Sequence, residues 1–498
     1  MAALGALQTL AFVHAALWPL CLAGMGLLVW RLDAASPRRA ALLGWAYGTA
    51  WLCAGTWWLF ISMHTYGGLP APLAVAAVFA LSAALSLYLA AACAAYARWR
   101  RGTGLDALLF AALWLLAELA RGVLFTGFPW VASGYALIDS PAAVLAPWLG
   151  VYGMGAVLAA LAAALPAVLV QLRPAPTGQL RARAPWLPPA AVLALIVLAT
   201  VGPRDFTRGA GSLSVALLQT NVAQDEKFAA ERMPQTLAWV ARELMAAQAG
   251  LVVAPETAVP LLPEQLEDLV PGYWAALQSH FAAPGRAALV GVPLGDYERG
   301  YTNSVVGFSA APLYRYDKTH LVPFGEFIPT GFRWFTRLMN IPLGDFARGV
   351  ANPPSFAVGV QRVAPNICYE DLFGEELARR FVDPALTPTV FANVSNLGWF
   401  GDTVALPQHL NISRLRTLEF QRPMLRATNT GATAAIDHRG VVLAQLPPYT
   451  VGVLKAQVEG REGSTPFAWW AGRFGLWPLW LAALGVVGAA AWLRRAAV

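Results

Sequence analysis

The chain has 498 residues, of which 57% are hydrophobic and 13% are charged. Soluble globular proteins carry about 25% charged residues, so the composition excludes an ordinary soluble enzyme and places much of this chain in lipid. The net charge is +7, but the arginines cluster beside apolar segments, a pattern typical of membrane orientation and not of nucleic-acid binding.

Long apolar runs in the first part of the chain and near its end predict roughly seven or eight membrane-spanning helices. Residues 1–31 are almost uninterrupted apolar sequence, and His14 and Pro19 mark a break that would make this run a hairpin. A cleaved signal peptide fits poorly, because no basic region precedes the run and the run exceeds the ~7–15 residues of a signal-peptide core. Further candidate spans lie near 40–62, 70–96, 106–126, 144–171, 187–203 and 474–493.

The basic residues predict how these helices are oriented. Arginines fall in alternate loops and at the end of the chain, near residues 31–39, 98–101, 173–183 and 494–495, whereas the loops 63–69 and 127–143 contain neither lysine nor arginine. Because basic loops face the cytoplasm, the segment from 204 to 473 is expected on the opposite side, the periplasm of a two-membrane bacterium. We therefore predict a transmembrane domain (1–203), a periplasmic catalytic domain (204–473) and a C-terminal helix with a cytoplasmic tail (474–498).

One predicted span contains two charged residues. Glu118 and Arg121 are three positions apart and share a helix face. They form either a neutralised pair that fixes helix packing or a contact for a lipid headgroup. The loop that follows is rich in Gly, Pro and aromatic residues, including Trp130, and suits both an interfacial belt and a lipid entry port.

From residue 213 the pattern changes to short strands separated by helical stretches. Residues 437–440 (Asp-His-Arg-Gly) predict a hairpin turn between the last two strands. Strands interleaved with helices predict a layered α/β domain of about 260 residues. The strands are expected near 213–219, 250–254, 287–292, 303–308, 363–368, 389–394, 432–436 and 441–446, and the helices near 229–248, 263–281 and 408–422.

Three segments of this region contain the residue types that acyl transfer through a thiol requires. One apolar run ends at Cys368, another ends at Glu256, and Lys318 stands just before a loop rich in Pro and Gly. Because a free thiol has a pKa of about 8.5, Cys368 needs a base to remove its proton during attack. We predict Cys368 as the nucleophile, Glu256 as the general base and Lys318 as the cation that stabilises the oxyanion.

Lysine usage supports this assignment. Only three of the 35 basic residues are lysines, namely Lys227, Lys318 and Lys455. A chain that otherwise uses arginine favours lysine where a compact ammonium is needed.

The other cysteines and the histidines do not predict a second kind of site. Three cysteines lie inside apolar runs, where packing explains them, and only Cys368 lies outside. No CxxC pair is present and the six histidines lack metal-ligand spacing, so we expect no disulfide framework, no metal and no cofactor. The three cysteines in apolar runs are Cys21, Cys53 and Cys93.

Three motifs resemble the Glu, Lys and Cys motifs of the nitrilase superfamily: residues 254–257 (Ala-Pro-Glu-Thr), 317–326 and 366–370 (Asn-Ile-Cys-Tyr-Glu). The helical half, notably 118–121 followed by Thr-Gly-Phe-Pro-Trp at 126–130, resembles the membrane-bound branch of that superfamily, apolipoprotein N-acyltransferase. The likeness runs from about residue 40 to the C-terminus. It implies a polytopic α-helical membrane domain of eight helices and an αββα sandwich on the periplasmic face of the inner membrane.

The resemblance also implies a ping-pong reaction. Glu256, Lys318 and Cys368 match the catalytic triad of the family. The thiol of Cys368 would take an acyl chain from a phospholipid, and the thioester would pass it to the α-amino group of diacylglyceryl-cysteine in an apolipoprotein. Glu326, Tyr369 and Glu370 match positions that the family keeps around the triad.

Four aromatic residues are candidate substrate contacts. Phe228 stands where the family commonly has tryptophan, and Trp334 lies in the apolar segment 324–346. We interpret that segment as a mobile lid that dips into the outer leaflet, the alternative being a surface loop folded onto its own core. Trp399 lies in a second loop that could face the lid, and Trp130 follows the charged helix.

Two other functions fit parts of this sequence. One is a membrane-tethered nitrilase-type amidase that hydrolyses a small amide, although seven or eight spans are excessive for an anchor. The other is a transporter with an accessory domain, although charged residues and broken helices within the spans are scarce.

Overall fold

The computed structural model describes residues 1–172, 187–202, 204–227, 229–329, 331 and 346–496. The chain divides into two compact units. The first, the helical unit, contains residues 1–57, 75–204 and 474–498, and the second, the sandwich unit, contains residues 58–74 and 205–473. The segment 58–74 therefore packs with the sandwich, although it lies between helices of the first unit in the sequence.

The described helices and strands follow in chain order. The helices are α1 (Ala2–Leu7), α2 (Leu10–Val13), α3 (Pro19–Leu32), α4 (Pro37–Thr56), α5 (Ala71–Leu85), α6 (Leu87–Trp99), α7 (Asp106–Val123), α8 (Ala146–Leu172), α9 (Leu187–Val201), α10 (Met233–Ala246), α11 (Pro263–Leu269), α12 (Tyr273–Phe281), α13 (Gly374–Ala378), α14 (Ala405–Phe420), α15 (Pro466–Phe474) and α16 (Trp477–Arg495). The strands are β1 (Thr207–Gln219), β2 (Leu251–Val253), β3 (Ala288–Asp296), β4 (Gly300–Phe308), β5 (Tyr314–Asp317), β6 (Phe356–Val358), β7 (Gln361–Ile367), β8 (Val390–Ser395), β9 (Met424–Thr428), β10 (Ala434–Ile436), β11 (Val442–Gln445) and β12 (Gly452–Gly463).

Several of the predicted spans are long apolar helices. Among the described residues, five stretches are long and apolar enough to cross a bilayer: Ala15–Leu32, Ala71–Trp99, Asp106–Thr126, Pro141–Pro166 and Trp477–Arg495. Two further predicted spans fall short of that standard. α9 is too short, and α4 has 20 residues but contains three glycines, a tyrosine and two tryptophans, which make it less apolar. The break expected at His14 and Pro19 is present, because α2 ends before His14 and α3 begins at Pro19.

The charged pair of α7 is buried within the helical unit. Glu118 and Arg121 lie 3.6 Å apart. The carboxylate of Glu118 also accepts hydrogen bonds from the backbone N–H and the hydroxyl of Ser133, at 2.7 and 3.0 Å. Arg121 donates to the carbonyls of Phe128 and Trp130, at 2.9 and 2.7 Å. These contacts attach the loop 128–133 to α7, which favours the packing role over a headgroup contact.

The sandwich unit contains two six-stranded sheets. Their strand orders are β12-β1-β2-β3-β4-β5 and β11-β10-β9-β8-β7-β6. In the first sheet β1, β2 and β3 run parallel, and in the second β7, β8 and β9 run parallel. Parallel strands place their carboxyl ends at one edge of each sheet, where ligand sites of α/β proteins are usually found.

The alternation of side chains along the strands creates the layers. In β1, Leu213, Val215 and Leu217 join the core between the sheets, whereas Ala216 and Leu218 face the helices. Successive side chains of a strand point to opposite faces, so strands apolar on both faces need cover on both. The helices α10 to α12 cover the first sheet, and Leu377, Phe420 and Phe467 of α13 to α15 cover the second. This is the αββα arrangement that the resemblance implied.

All eight predicted strands are present, although their ends differ from the predicted ones by up to six residues. The predicted turn at 437–440 joins β10 and β11, with the N–H of Asp437 donating to the carbonyl of Val441 at 2.9 Å. The helix expected over 263–281 is two helices, because the chain adopts a left-handed conformation at Gly272 (φ 76°). Four strands were not predicted: β5, β6, β9 and β12.

Candidate active site

The predicted catalytic residues lie just beyond the ends of strands in both sheets. Glu256 follows β2, Lys318 follows β5 directly and Cys368 follows β7 directly. The buried sheets hold the backbone at each of these positions, so the three side chains depend on rigid elements for their placement. Their catalytic roles stay predictions.

The carboxylate of Glu256 is held by two amide groups. Its Oε1 accepts a hydrogen bond from the side chain of Asn303 at 2.8 Å, and its Oε2 accepts from the backbone N–H of Asn396, also at 2.8 Å. The turn that carries Glu256 lies directly on β3 at Gly291, where a Cβ would come within 2.8 Å of the Cα of Glu256. Any other residue at position 291 would push the carboxylate from its place.

Lys318 is the cation of this site and is 1% exposed. Its Nζ lies 2.8 Å from Oε1 of Glu326 and 3.6 Å from Oε1 of Glu256. Burial alone lowers the pKa of Lys318, but the carboxylates of Glu326 and Glu256 outweigh it and raise the pKa above its ordinary value. The side chain is therefore a permanent ammonium at neutral pH. Asn303 also donates to Glu326 at 2.8 Å, so one amide joins both carboxylates.

Cys368 occupies a strained backbone position at the end of β7. Its φ is 51°, in the left-handed region, where a residue other than glycine costs about 1–3 kcal/mol. Burial and the negative charge of Glu256 raise the pKa of the thiol, against the opposing effect of the ammonium of Lys318. The side chain of Cys368 thus rests as a thiol and not as a thiolate, so the attack predicted for it has to be coupled to removal of its proton.

A buried polar network supports the backbone of Cys368. Its carbonyl oxygen lies 3.3 Å from Nδ2 of Asn393 and 3.3 Å from Nε2 of His409 on α14. The Nδ1 of His409 is 2.9 Å from Nη2 of Arg426. A guanidinium can only donate, so Nδ1 is the acceptor and Nε2 carries the proton that it donates to Cys368. Burial and the charge of Arg426 lower the pKa of His409 well below its ordinary value, which keeps the ring neutral.

Arg426 is neutralised from its other side. It lies 3.4 Å from Asp371 and donates to the hydroxyl of Ser413, which in turn donates to the same carboxylate. Sequence reasoning missed this network, because its members are far apart in the chain. The signal available was a charged residue among apolar ones, such as Arg426 in the sequence Met-Leu-Arg-Ala-Thr of β9.

The supporting residues predicted around the triad are all buried near it. Glu326 contacts Lys318 directly, whereas Glu370 accepts hydrogen bonds from Tyr316, Thr319, His320 and Ile367. Glu370 thus joins the loop after Lys318 to the strand before Cys368. Tyr369 packs its ring against Phe373 at a centroid distance of 5.2 Å.

Two of the four predicted substrate contacts, Trp130 and Trp399, lie among the described residues. Trp399 packs against Tyr66 of the segment 58–74, at a centroid distance of 5.6 Å. Trp130 is buried in the helical unit. Phe228, Trp334 and most of the predicted lid lie outside the described residues. The substrate-binding role of all four aromatics remains a prediction.

Most of the chain matches known proteins. Residues 4–164 match the model of the apolipoprotein N-acyltransferase N-terminal domain, and residues 214–467 match the carbon-nitrogen hydrolase model. Apolipoprotein N-acyltransferase of Verminephrobacter eiseniae is 54% identical over 490 residues, covering 92% of this chain and 89% of that protein. The chain belongs to the apolipoprotein N-acyltransferase family. It is a membrane protein with a nitrilase-like sandwich, as the motifs predicted, and the likeness begins at residue 4 and not near residue 40.

A second relative agrees with this membership. Apolipoprotein N-acyltransferase of Ralstonia nicotianae is 46% identical over 479 residues, covering 94% of this chain and 88% of that protein. Among solved structures, a CN-hydrolase superfamily protein of Xanthomonas campestris is 20% identical, with a TM-score of 0.37, and covers 53% of this chain and 96% of that chain.

Proposed function

We propose that this chain transfers an acyl chain from a membrane phospholipid to the N-terminal amine of diacylglyceryl-cysteine in an apolipoprotein. The observation that carries the proposal is the buried cluster around Lys318, in which two carboxylates lie within 3.6 Å of one ammonium next to a cysteine thiol. This arrangement supplies a base, a cation and a nucleophile in one place. The activity after which the family is named supports the choice of substrate.

The first half-reaction acylates the enzyme. Glu256 takes the proton of the Cys368 thiol while the sulfur attacks the ester carbonyl carbon of the phospholipid. The carbonyl oxygen becomes an oxyanion, which the ammonium of Lys318 stabilises. The bond to the glycerol oxygen then breaks, that oxygen takes the proton from Glu256, and a lysophospholipid leaves. The acyl chain remains on Cys368 as a thioester.

The second half-reaction transfers the chain. The α-amine of the acceptor attacks the thioester carbon, and Glu256 takes a proton from the attacking nitrogen. The carbon–sulfur bond then breaks, an amide is released, and the proton returns from Glu256 to the sulfur of Cys368. Water would hydrolyse the same thioester, so the burial of Glu256 and Lys318 supports a transferase, which has to keep its intermediate dry.

We also propose that the sandwich unit lies in the periplasm of a bacterium with two membranes, carried by helices in the inner membrane. The alternation of arginine-rich and arginine-free loops supports this orientation. A green fluorescent protein fused after Val498 should fluoresce, because that protein folds only in the cytoplasm. A fusion that is expressed at the normal level but does not fluoresce would indicate the opposite orientation.

The intermediate provides the test of the function. Purified full-length protein incubated with a phospholipid, without acceptor, should gain one acyl mass on Cys368 that hydroxylamine removes. Adding a diacylglyceryl-cysteine peptide should discharge the adduct and yield an N-acylated peptide. Cys368→Ser should form no thioester, whereas Cys53→Ser, a matched change in the helical unit, should behave as wild type.

The same experiment distinguishes the acyltransferase from the alternative function, hydrolysis of a small amide. A small-amide hydrolase would consume an amide in water and would accumulate no adduct from any phospholipid. Failure of the adduct to form, while Cys368 remains reactive to iodoacetamide, would refute the acyltransferase.

A further inference from the structure

A second lysine lies beside the candidate base. Lys227 is 7% exposed, and its Nζ donates to the main-chain carbonyl oxygen of Glu256 at 3.1 Å. This ammonium takes no part in the two half-reactions of the proposed function. Among the described residues this carbonyl is its one hydrogen-bond acceptor, although an ammonium has three N–H groups. Burial of so polar a group is costly unless the charge is used.

The segment that carries Lys227 is attached firmly to the site. Asn429 accepts from the backbone N–H of Val222 at 2.8 Å and donates to Asn396 at 3.0 Å. Gln224 accepts from Asn396 at 2.7 Å. Asn396 is the residue whose backbone N–H binds the carboxylate of Glu256. The segment 222–227 therefore reaches Glu256 at two points, the carboxylate through Asn396 and the main-chain carbonyl through Lys227.

The charges of the site balance only when Lys227 is counted. Glu256 and Glu326 contribute two negative charges and Lys318 contributes one positive charge. When the proton has moved to Glu256, the oxyanion and Glu326 again make two negative charges against Lys318. A second ammonium makes the group neutral in both states, which matters because an uncompensated charge in a buried site is strongly unfavourable.

We propose that Lys227 is a positioning and charge-balancing residue for the acyl transfer, which holds the backbone of Glu256 and keeps the cluster of Glu256, Glu326 and Lys318 neutral. This inference rests on the proposed function, because it takes Glu256 as the base. It goes beyond the triad by assigning a second cation to the site, and it accounts for a second of the three lysines in a chain rich in arginine.

The proposal has a consequence for the pH dependence. Burial lowers the pKa of Lys227 to about 8, and the nearby Glu256 and Cys368 oppose this effect. The ammonium is therefore present below that pH and is lost as the pH rises through it. Lys318 and the thiol of Cys368 have pKa values raised above their ordinary ones, so neither accounts for a transition near pH 8.

Three substitutions in the full-length protein test this assignment. Lys227→Met keeps most of the side-chain length and removes the charge, whereas Lys227→Arg keeps a charge that does not titrate below pH 12. Lys455→Met is the control, which makes the lysine-to-methionine change at an exposed position of the edge strand β12. Two rates are measured from pH 6 to pH 10, namely acyl-adduct formation on Cys368 from a phospholipid and alkylation of Cys368 by iodoacetamide. Thermal unfolding in detergent monitors folding.

Lys227→Met should slow both rates by roughly 10- to 100-fold at pH 7, the effect of one to two pKa units from one nearby charge. In wild type and Lys455→Met, adduct formation should fall as the pH passes about 8. In Lys227→Arg that decline should disappear, and part of the rate should be kept. A role confined to structure would lower the unfolding temperature without moving the pH profile.

Two results would overturn the assignment. One is a Lys227→Met protein that folds and matches Lys455→Met in both rates. The other is a Lys227→Arg protein whose rate falls near pH 8 as in wild type, and this comparison decides the matter even when Lys227→Met does not fold. Failure of the proposed function looks different, because wild type itself would then form no adduct while its alkylation still responded to Lys227.

Discussion

Replacing His409 by leucine removes a side chain that connects Cys368 to the buried Arg426. The change deletes the donor at 3.3 Å from the Cys368 carbonyl and the acceptor at 2.9 Å from the guanidinium. Glutamine offers both functions again, because its amide can donate to the carbonyl and accept from the arginine. The pair of variants therefore separates the hydrogen bonds from the volume of the ring.

The size of the effect follows from these two contacts. The guanidinium of Arg426 loses an acceptor outright, whereas the Cys368 carbonyl loses one of its two donors, so His409→Leu should lose about 1–3 kcal/mol of stability. Among the described residues, the contact of the carbonyl to Asn393, at 3.3 Å, is then the one that holds Cys368 in the left-handed conformation. A nucleophile displaced by about 1 Å loses about 100-fold in rate, and we expect that loss for His409→Leu and less than about 10-fold for His409→Gln.

The pH dependence gives a second measurement on the same variants. Because the pKa of His409 lies well below its ordinary value in the folded state, the unfolded chain binds an extra proton below about pH 6.5. Wild type therefore loses stability as the pH falls, by up to about 1.4 kcal/mol per pH unit from this residue. His409→Gln lacks that loss, so its stability should approach that of wild type at low pH.

Alkylation of Cys368 by iodoacetamide, acyl-adduct formation and the unfolding temperature in detergent are the assays. Normal alkylation and adduct rates in a folded His409→Leu protein would refute the positioning role of the network. A constant stability difference between His409→Gln and wild type from pH 7 to pH 5 would refute the assignment of a neutral buried ring.

The remaining predictions concern Lys318 and the charged pair of α7. Lys318→Arg should reduce adduct formation at least about 100-fold although the charge remains, because the larger guanidinium does not fit the buried space of the Lys318 ammonium. An active variant would show that charge alone suffices. Glu118→Gln should lower the stability by about 3–5 kcal/mol, because it leaves Arg121 buried without its carboxylate, while folded protein still forms the adduct at the wild-type rate. Unchanged unfolding with loss of phospholipid use would instead indicate a headgroup contact.

Sequence-based prediction selected residues that have a local signature and missed residues that have none. Cys368, Glu256 and Lys318 each end or follow a strand and carry a reactive group, so a short stretch of sequence was sufficient to select them. Glu370 was selected from its place in the family motif, but its contacts to Tyr316 and Thr319 join two segments in a way that no spacing indicates. Three of the four missed strands, β5, β6 and β9, are too short to show a clear pattern. β12 does alternate apolar and polar residues over 454–459, but its partner β1 lies more than 200 residues away in the sequence.

The sequence by itself determined the membrane class, the layered α/β domain and the family, and it selected the three residues predicted to be catalytic, because hydropathy, side-chain alternation and short motifs are local properties of a chain. Only the tertiary structure decided which groups surround those residues. Asn303, Asn396, His409 and Lys227 come from separate strands, loops and helices, and their meeting around Glu256 and Cys368 depends on how the two sheets bring distant segments to common edges. Charge balance in a buried site is a property of that assembled set, and no stretch of sequence contains it.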